Sequence, residues 1–136
     1  LIAFNLGVFL THWPPIVDGL MVSQAGAFLI DVIWFGGGLV FWWPLVAPVP
    51  ERPDFGYALR IIYLVAATIT TSAPFLYLTF SPLPMYATYE LAPPVAGISN
   101  RDDQQAAGLL MKLGGAVVLW VGIAALFFQW HREEGE

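Results

Sequence analysis

The sequence contains no cysteine and few charged residues. Without cysteine it cannot form disulfides, thiolate metal sites or thiol nucleophiles. Charged residues make up 11% of the chain, which is less than half of the roughly 25% that soluble domains carry. Five Lys and Arg residues stand against ten Asp and Glu residues, so the basic surface that nucleic-acid binding requires is also missing. These shortages exclude a disulfide-rich scaffold, a nucleic-acid partner and an ordinary water-soluble domain.

Hydrophobic residues, by contrast, make up 58% of the chain, and the mean hydropathy is +0.70. Three apolar segments, Gln24–Val46, 57–80 and 104–130, each reach the length of about 20 residues that crosses a bilayer. Segments in lipid must satisfy their own backbone hydrogen bonds, so we expect helices. Residues 1–10 are apolar but too short to cross, which indicates the end of a preceding helix or a re-entrant segment. The sequence predicts an all-α fold, a polytopic transmembrane helical bundle with three full membrane helices plus the end of a preceding one.

Proline-rich segments connect these helices at 47–55 and 81–103. The second segment contains four prolines and cannot form a single helix. A pair of prolines ends the first apolar run, and we expect a short amphipathic helix at the membrane interface over 16–23. No internal repeat is visible. Residues 1–136 are therefore interpreted as one transmembrane domain, expected to be the C-terminal portion of a longer chain.

The basic residues indicate an orientation. Arg52 and Arg132 lie on one side of the predicted membrane, with Arg60 close by, whereas Arg101 lies alone on the other side. Cytoplasmic loops carry an excess of Lys and Arg. We therefore expect a multi-pass protein, surrounded by membrane lipid, with a cytoplasmic C-terminus.

Two ionisable residues fall inside predicted membrane helices. Asp31 is seven residues into the first long helix, and Lys112 is eight residues into the last one. Both helices start on the same side, so both side chains are expected roughly 10–12 Å from that membrane face. Equal depth and opposite charge predict an interhelical ion pair. The alternatives are that Lys112 extends to the interface and that Asp31 is protonated or exposed to water.

Glycines and hydroxyl residues mark possible helix contacts. Small residues let membrane helices approach closely, and we expect packing faces at Gly36, Gly37, Gly38, Gly108 and Gly115. In the middle segment, three threonines and Ser72 precede Pro74. Their hydroxyls can compensate for the backbone donor that the proline lacks, so we interpret them as structural.

Metal ligation is not indicated by spacing alone. The sequence has neither a His-x-x-x-His pair nor a Met-x-x-Met pair. Copper(I) favours thioether and imidazole ligands, and the side that holds Asp31 contains His12, three methionines and several carboxylates. On this evidence His12 is interpreted as a residue at a helix end, and Met111 as a packing residue.

Four blocks of the sequence stand out when taken in order: His12-Trp13-Pro14-Pro15, Phe41-Trp42-Trp43-Pro44-Leu45, Tyr86 and Tyr89 before Pro93-Pro94, and Asp103-Gln104-Gln105-Ala106-Ala107-Gly108-Leu109-Leu110-Met111. Together they resemble the CtaG family of polytopic bacterial membrane proteins, which is linked to the assembly of haem–copper cytochrome c oxidase. The resemblance covers nearly the whole chain as the C-terminal part of a longer protein. It implies location in the bacterial inner membrane and delivery or insertion of copper at the outer side of the oxidase. The candidate metal ligands that it leaves in this chain are His12, Met111 and Asp103.

The chain also departs from that family pattern. Typical members have a histidine near the position of Asp31 and an aromatic residue near that of Lys112, and the proline that usually follows is replaced within 113–115. These departures suggest that an ammonium held by Asp31 takes the place of a metal ion held by histidine.

Two functions from different classes follow. The first is an oxidase-assembly factor that binds or passes on copper. The second is a non-catalytic scaffold subunit of a respiratory or photosynthetic electron-transfer complex, which packs through its apolar and glycine faces. A transporter fragment is a third interpretation, based on the intramembrane charges. An enzyme is not expected, because neither a nucleotide-binding motif nor an activated nucleophile can be placed.

Overall fold

The computed structural model describes residues 1–46, 56–94 and 97–135. Within these ranges the fold is all-helical, which confirms the predicted class. The helices are α1 (Ile2–Leu10), α2 (Pro14–Met21), α3 (Gln24–Val46), α4 (Tyr57–Thr70), α5 (Ser72–Phe80), α6 (Ala87–Glu90) and α7 (Asn100–Glu134). Three stretches, α3, α4 with α5, and α7, are long and apolar enough to cross a membrane. The predicted loop 47–55, with Arg52, lies outside the described residues.

The ends of the helices follow from local hydrogen bonding. Helix α2 begins at Pro14, because proline lacks only an N–H that the first turn leaves unpaired. Helix α7 extends about one turn beyond its predicted range at each end. The hydroxyl of Ser99 accepts a hydrogen bond from the backbone N–H of Asp102 at 3.1 Å and so caps the helix. Acidic residues in its first turn and basic residues in its last turn suit the helix dipole.

The predicted middle membrane helix is interrupted at Thr71, where α4 ends and α5 begins. Hydroxyl groups around the break donate back to the preceding turn. Thr71 donates to the carbonyl of Ala67 at 2.7 Å, and Ser72 donates to the carbonyl of Thr68 at 2.7 Å. The carbonyl of Ala67 also accepts the backbone N–H of Thr71 at 3.1 Å, so the hydroxyls add hydrogen bonds to the turn that precedes the break. This agrees with the structural role predicted for the hydroxyls.

The larger core cluster combines α3, α4 and α7. Its buried residues are Phe41, Leu64, Ala67 and Leu126, and Leu64 and Ala67 are 0% exposed. The ring of Tyr63 stacks on Phe41 at 5.2 Å, and its hydroxyl donates to the Phe41 carbonyl at 3.1 Å. Because Phe41 lies late in α3 and Leu126 late in α7, this core occupies the half of the bundle toward the ends of both helices. We call it the apolar half.

We call the other half of the bundle the capped end. It consists of helix α2, the segment 81–94 with α6, and the first turns of α3 and α7, which lie together. Its core is a second cluster of Val17, Leu78 and Tyr86. At the corner between α2 and α3, a Cβ on Gly26 would lie only 2.0 Å from the carbonyl oxygen of Leu20. Only glycine fits this corner.

Candidate functional site at the capped end

Asp18 of α2 holds the segment that contains α6. Its Oδ1 accepts hydrogen bonds from the backbone N–H and the hydroxyl of Thr88, each at 3.0 Å, and its Oδ2 accepts from the N–H of Ala87 at 3.2 Å. These donors, the Thr88 N–H foremost, lower the pKa of Asp18 below its ordinary value of 3.8. The carboxylate therefore stays ionised at neutral pH and ties the loop to α2.

Gln104 holds the same segment against α7. Its Oε1 accepts from the backbone N–H of Met85 at 2.7 Å, and its Nε2 donates to the carbonyls of Leu78 at 3.2 Å and Leu83 at 3.4 Å. The neighbouring Gln105 donates to the carbonyl of Ser81 at 3.3 Å. The sequence analysis did not predict this role. The available signal was two adjacent amide side chains at the head of a membrane helix, next to a proline-rich loop with unpaired backbone groups.

Tyr86 ties the segment to the turn between α1 and α2. It is 8% exposed, and its hydroxyl donates to the backbone carbonyl of His12 at 3.0 Å. Burial raises the pKa of Tyr86 to about 12, with smaller contributions from Tyr89, Asp18 and Tyr77. The phenol therefore remains a neutral hydrogen-bond donor. With Asp18 and Gln104, it fixes one loop to α2, to α7 and to the turn between α1 and α2.

His12 is half-buried beside this connection. Its Nδ1 lies 2.7 Å from the carbonyl oxygen of Val8, and its ring meets Trp34 edge-on at 5.6 Å between centroids. The carbonyl assigns the proton to Nδ1 in the neutral ring and leaves Nε2 with a free electron pair. Burial is the main influence on His12 and lowers its pKa from the ordinary 6.5. The ring also lines a cavity of about 530 Å³ together with Tyr86.

The three predicted metal ligands lie in different surroundings. His12 contacts the end of α1, Asp103 is exposed in the first turn of α7, and Met111 lies two turns further along that helix. Among the described residues, no group of three or more His, Asp or Glu side chains is placed to hold a metal ion. Copper ligation by these three residues remains a prediction.

Met111 instead joins the other methionines. Met21 of α2, Met85 of the loop and Met111 of α7 all pack against the cluster of Val17, Leu78 and Tyr86. They are the only three methionines of the chain. Their positions in the sequence are far apart, so spacing could not indicate that the fold would bring them together.

The predicted ion pair between Asp31 and Lys112 is not formed in the structure. The Lys112 ammonium donates to the carbonyl of Thr68 at 2.9 Å and to the hydroxyl of Ser72, and it lies 5.8 Å from the centre of the Phe75 ring. Asp31 is exposed on α3. Helix α7 packs along α4 and α5, so the break between those helices supplies the acceptors that Lys112 needs. These contacts correct the idea that Asp31 holds an ammonium in place of a metal.

Lys112 borders a cavity of about 280 Å³ between α1, α3, α4, α5 and α7. Aromatic rings form much of its wall, among them Phe4, Trp34 and Phe75. The polar groups are those of Lys112 and of two threonines on α4 and at its end. The ammonium thus faces a mostly apolar space while it is hydrogen-bonded to the helix break.

The glycines predicted to pack between helices behave differently from one another. A Cβ on Gly108 would meet the hydroxyl of Thr79 at 2.6 Å, so α5 and α7 approach closely there. Gly37 faces the ring of Phe4 at an ordinary contact distance of 3.5 Å. No heavy atom of the described residues lies within 4 Å of such a Cβ on Gly36, Gly38 and Gly115. Those three glycines therefore have room for a side chain within the described part of this chain, and Gly115 also lines the cavity beside Lys112.

The fold and the capped end define a polytopic helical membrane protein in which side-chain hydrogen bonds fix a loop at one end of the bundle. The family model for the cytochrome c oxidase caa3 assembly factor (Caa3_CtaG) matches residues 1–133. The chain therefore belongs to this family, as the resemblance of its sequence blocks predicts. No match is found among curated proteins, and none among solved structures.

Proposed function

We propose that the protein handles copper during assembly of a haem–copper oxidase, and that the capped end performs this task on the outer side of a bacterial inner membrane. Family membership supports a role in oxidase assembly. The copper step, the orientation and the compartment are our proposal. Nothing in this role requires catalysis, because the chain would only bind a cargo and pass it to an oxidase subunit.

One observation carries the proposal. Three of the four sequence blocks through which the chain resembles the family meet at the capped end, whereas the block that begins at Phe41 lies in the apolar half. The block that begins at His12 accepts a hydrogen bond from Tyr86, and the block that begins at Asp103 supplies Gln104, which holds the loop. Most of the family resemblance therefore lies where the loop is fixed. A fixed loop outside the apolar segments is a suitable place to receive a hydrophilic cargo.

Open space beside three glycines favours a second function, a scaffold subunit of the oxidase or of another electron-transfer complex. Gly36, Gly38 and Gly115 have open space beside them in the described part of this chain. Small residues on membrane helices permit close approach of another helix. In this alternative, oxidase subunits would cover these faces permanently.

Deletion of the gene for the full-length protein tests the two functions against each other. We expect oxidase purified from the deletion strain to contain haem but less copper than the wild type, and we expect a plasmid-borne copy to restore the copper. We also expect the protein to be absent from mature oxidase. Oxidase with a normal copper content contradicts the copper role, and stoichiometric co-purification with mature oxidase establishes the scaffold role instead.

A further inference from the structure

The three methionines of the chain come from three different elements and meet around one cluster. Met21 ends α2, Met85 lies in the loop after α5, and Met111 lies in α7. All three are half-buried and pack against Val17, Leu78 and Tyr86. A chain with so few methionines has concentrated all of its thioethers at the capped end.

Polar bonds fix the segments that contain these methionines. The N–H of Met85 itself is held by Gln104 at 2.7 Å, on the same helix as Met111. Asp18, one turn before Met21, holds the loop two residues after Met85 through the N–H of Ala87. The segments are therefore cross-connected by bonds that do not involve the methionine side chains. The segments that carry the methionines are already held in place, so binding a ligand costs little further conformational entropy.

The chemistry of the cluster selects the ligand. Thioethers are soft and uncharged, and they favour copper(I) over zinc, calcium or magnesium. Calcium and magnesium need oxygen ligands, and zinc needs thiolate, imidazole or carboxylate ligands. The described residues provide no group of three His, Asp or Glu side chains for any of these metals. We propose that Met21, Met85 and Met111 bind one copper(I) ion through their three sulfur atoms. This proposal rests on the proposed function, to which it adds the oxidation state and the ligand atoms.

The site differs from the ligand set predicted from the sequence. It keeps Met111 but replaces His12 and Asp103 with Met21 and Met85. The backbone carbonyl of His12 accepts a hydrogen bond from Tyr86 at 3.0 Å. The His12 side chain contacts Val8 and Trp34 instead. It is therefore not a ligand of the proposed site.

The test uses the purified full-length protein in mild detergent, reduced and without oxygen, titrated with copper(I) against a coloured copper(I) chelator. We expect one ion per chain. Each of Met21→Leu, Met85→Leu and Met111→Leu should weaken binding at least about tenfold, since the loss of even an outer-shell partner costs that much. Leucine conserves the volume of methionine, so the thermal unfolding temperature should change little. X-ray absorption at the copper edge should show sulfur neighbours.

Two variants serve as matched controls. His12→Gln and Asp103→Asn remove the other side chains predicted to bind copper, and both should leave the copper(I) affinity within about twofold. An affinity that the three leucine variants do not change, or a copper spectrum dominated by nitrogen and oxygen, overturns the site. The methionines would then be ordinary packing residues.

The triple leucine variant, expressed in the deletion strain, separates the site from the proposed function. If the variant no longer binds copper(I) and the oxidase lacks copper, both proposals stand. If the variant no longer binds copper(I) but the oxidase has its full copper, the site is right and the proposed function is wrong. If the variant binds copper(I) as tightly as the wild type and still restores the oxidase, the site is wrong and the function stands.

Discussion

The capped end and the apolar half of this protein are held together by different forces. At the capped end, Asp18, Gln104 and Tyr86 bond to backbone groups of other elements. In the apolar half, the core is made of aliphatic and aromatic contacts around Phe41 and Leu64. The difference follows from the backbone. Membrane helices satisfy their own backbone groups, whereas an irregular segment needs donors and acceptors from side chains.

Several glycines differ in a related way, although Gly122 in the apolar half also packs closely, with Leu64 3.2 Å from the position of its Cβ. Gly26 and Gly108, both toward the capped end, are pressed against neighbouring elements. Gly38 and Gly114, in the long helices, are open: no heavy atom of the described residues lies within 4 Å of the point where a Cβ would stand. The capped end is thus closely packed within the chain, while parts of the long helices are left for lipid or for a partner. Four substitutions test this contrast.

The largest effect is expected from Gly26→Ala. The new Cβ would lie 2.0 Å from the backbone oxygen of Leu20, and a backbone atom cannot move aside as a side chain can. The corner between α2 and α3 must open, at a cost of about 3 kcal/mol or more in the free energy of unfolding. Gly38→Ala on the same helix is the matched control. It should be neutral or stabilising by up to about 1 kcal/mol, because alanine favours helix. Unfolding in mild detergent measures both, and equal effects would contradict the contrast.

Gln104→Leu should have the next largest effect. It leaves the N–H of Met85 and the carbonyl of Leu78 without their side-chain partner. The carbonyl of Leu83 loses one bond but keeps the one from the hydroxyl of Ser81. We expect a loss of about 1–3 kcal/mol and faster hydrogen exchange in the loop. Gln105→Leu, which removes one longer bond to Ser81, is the control and should lose less. If both variants exchange at the wild-type rate, these amides do not hold the loop.

Lys112→Met tests which partner the half-buried ammonium has. In the structure Lys112 bonds to Ser72 and Thr68, not to Asp31. In double-mutant cycles of unfolding free energy, Lys112→Met should therefore couple to Ser72→Ala. It should be additive with Asp31→Asn to within about 0.5 kcal/mol. A strong coupling to Asp31 would restore the ion pair predicted from the sequence.

The smallest effect concerns pH at the capped end. Burial lowers the pKa of His12 in the folded protein below the ordinary 6.5. Below pH 6.5 the His12 ring takes up a proton more readily in the unfolded chain than in the folded protein. The stability that the neutral ring contributes is therefore fully present above pH 6.5 and is lost as the pH falls. His12→Gln should flatten this part of the stability curve, measured by unfolding from above to below pH 6.5. If the pH dependence of stability is the same in the variant, other titratable groups cause it.

The membrane helices are the elements that the sequence predicts most accurately. The bounds of α3 match the predicted segment, because apolar length dictates a spanning helix almost by itself. Helix α7, whose first turn depends on the Ser99 cap, and the middle helix, which breaks at Thr71, are predicted less accurately. The error at Asp31 and Lys112 has a physical cause. Depth along a helix can be counted from the sequence, but the direction in which a side chain points relative to the other helices cannot.

Composition, segment length and the order of short motifs were sufficient to establish the class of protein, its membrane helices and its family. Which side chains meet became known from the packed helices alone. The bonds from Gln104 to Met85 and from Tyr86 to His12, and the convergence of three methionines, join residues that are distant in the chain. Such contacts depend on how helices pack and on where a loop finds partners for its backbone, and neither property is local.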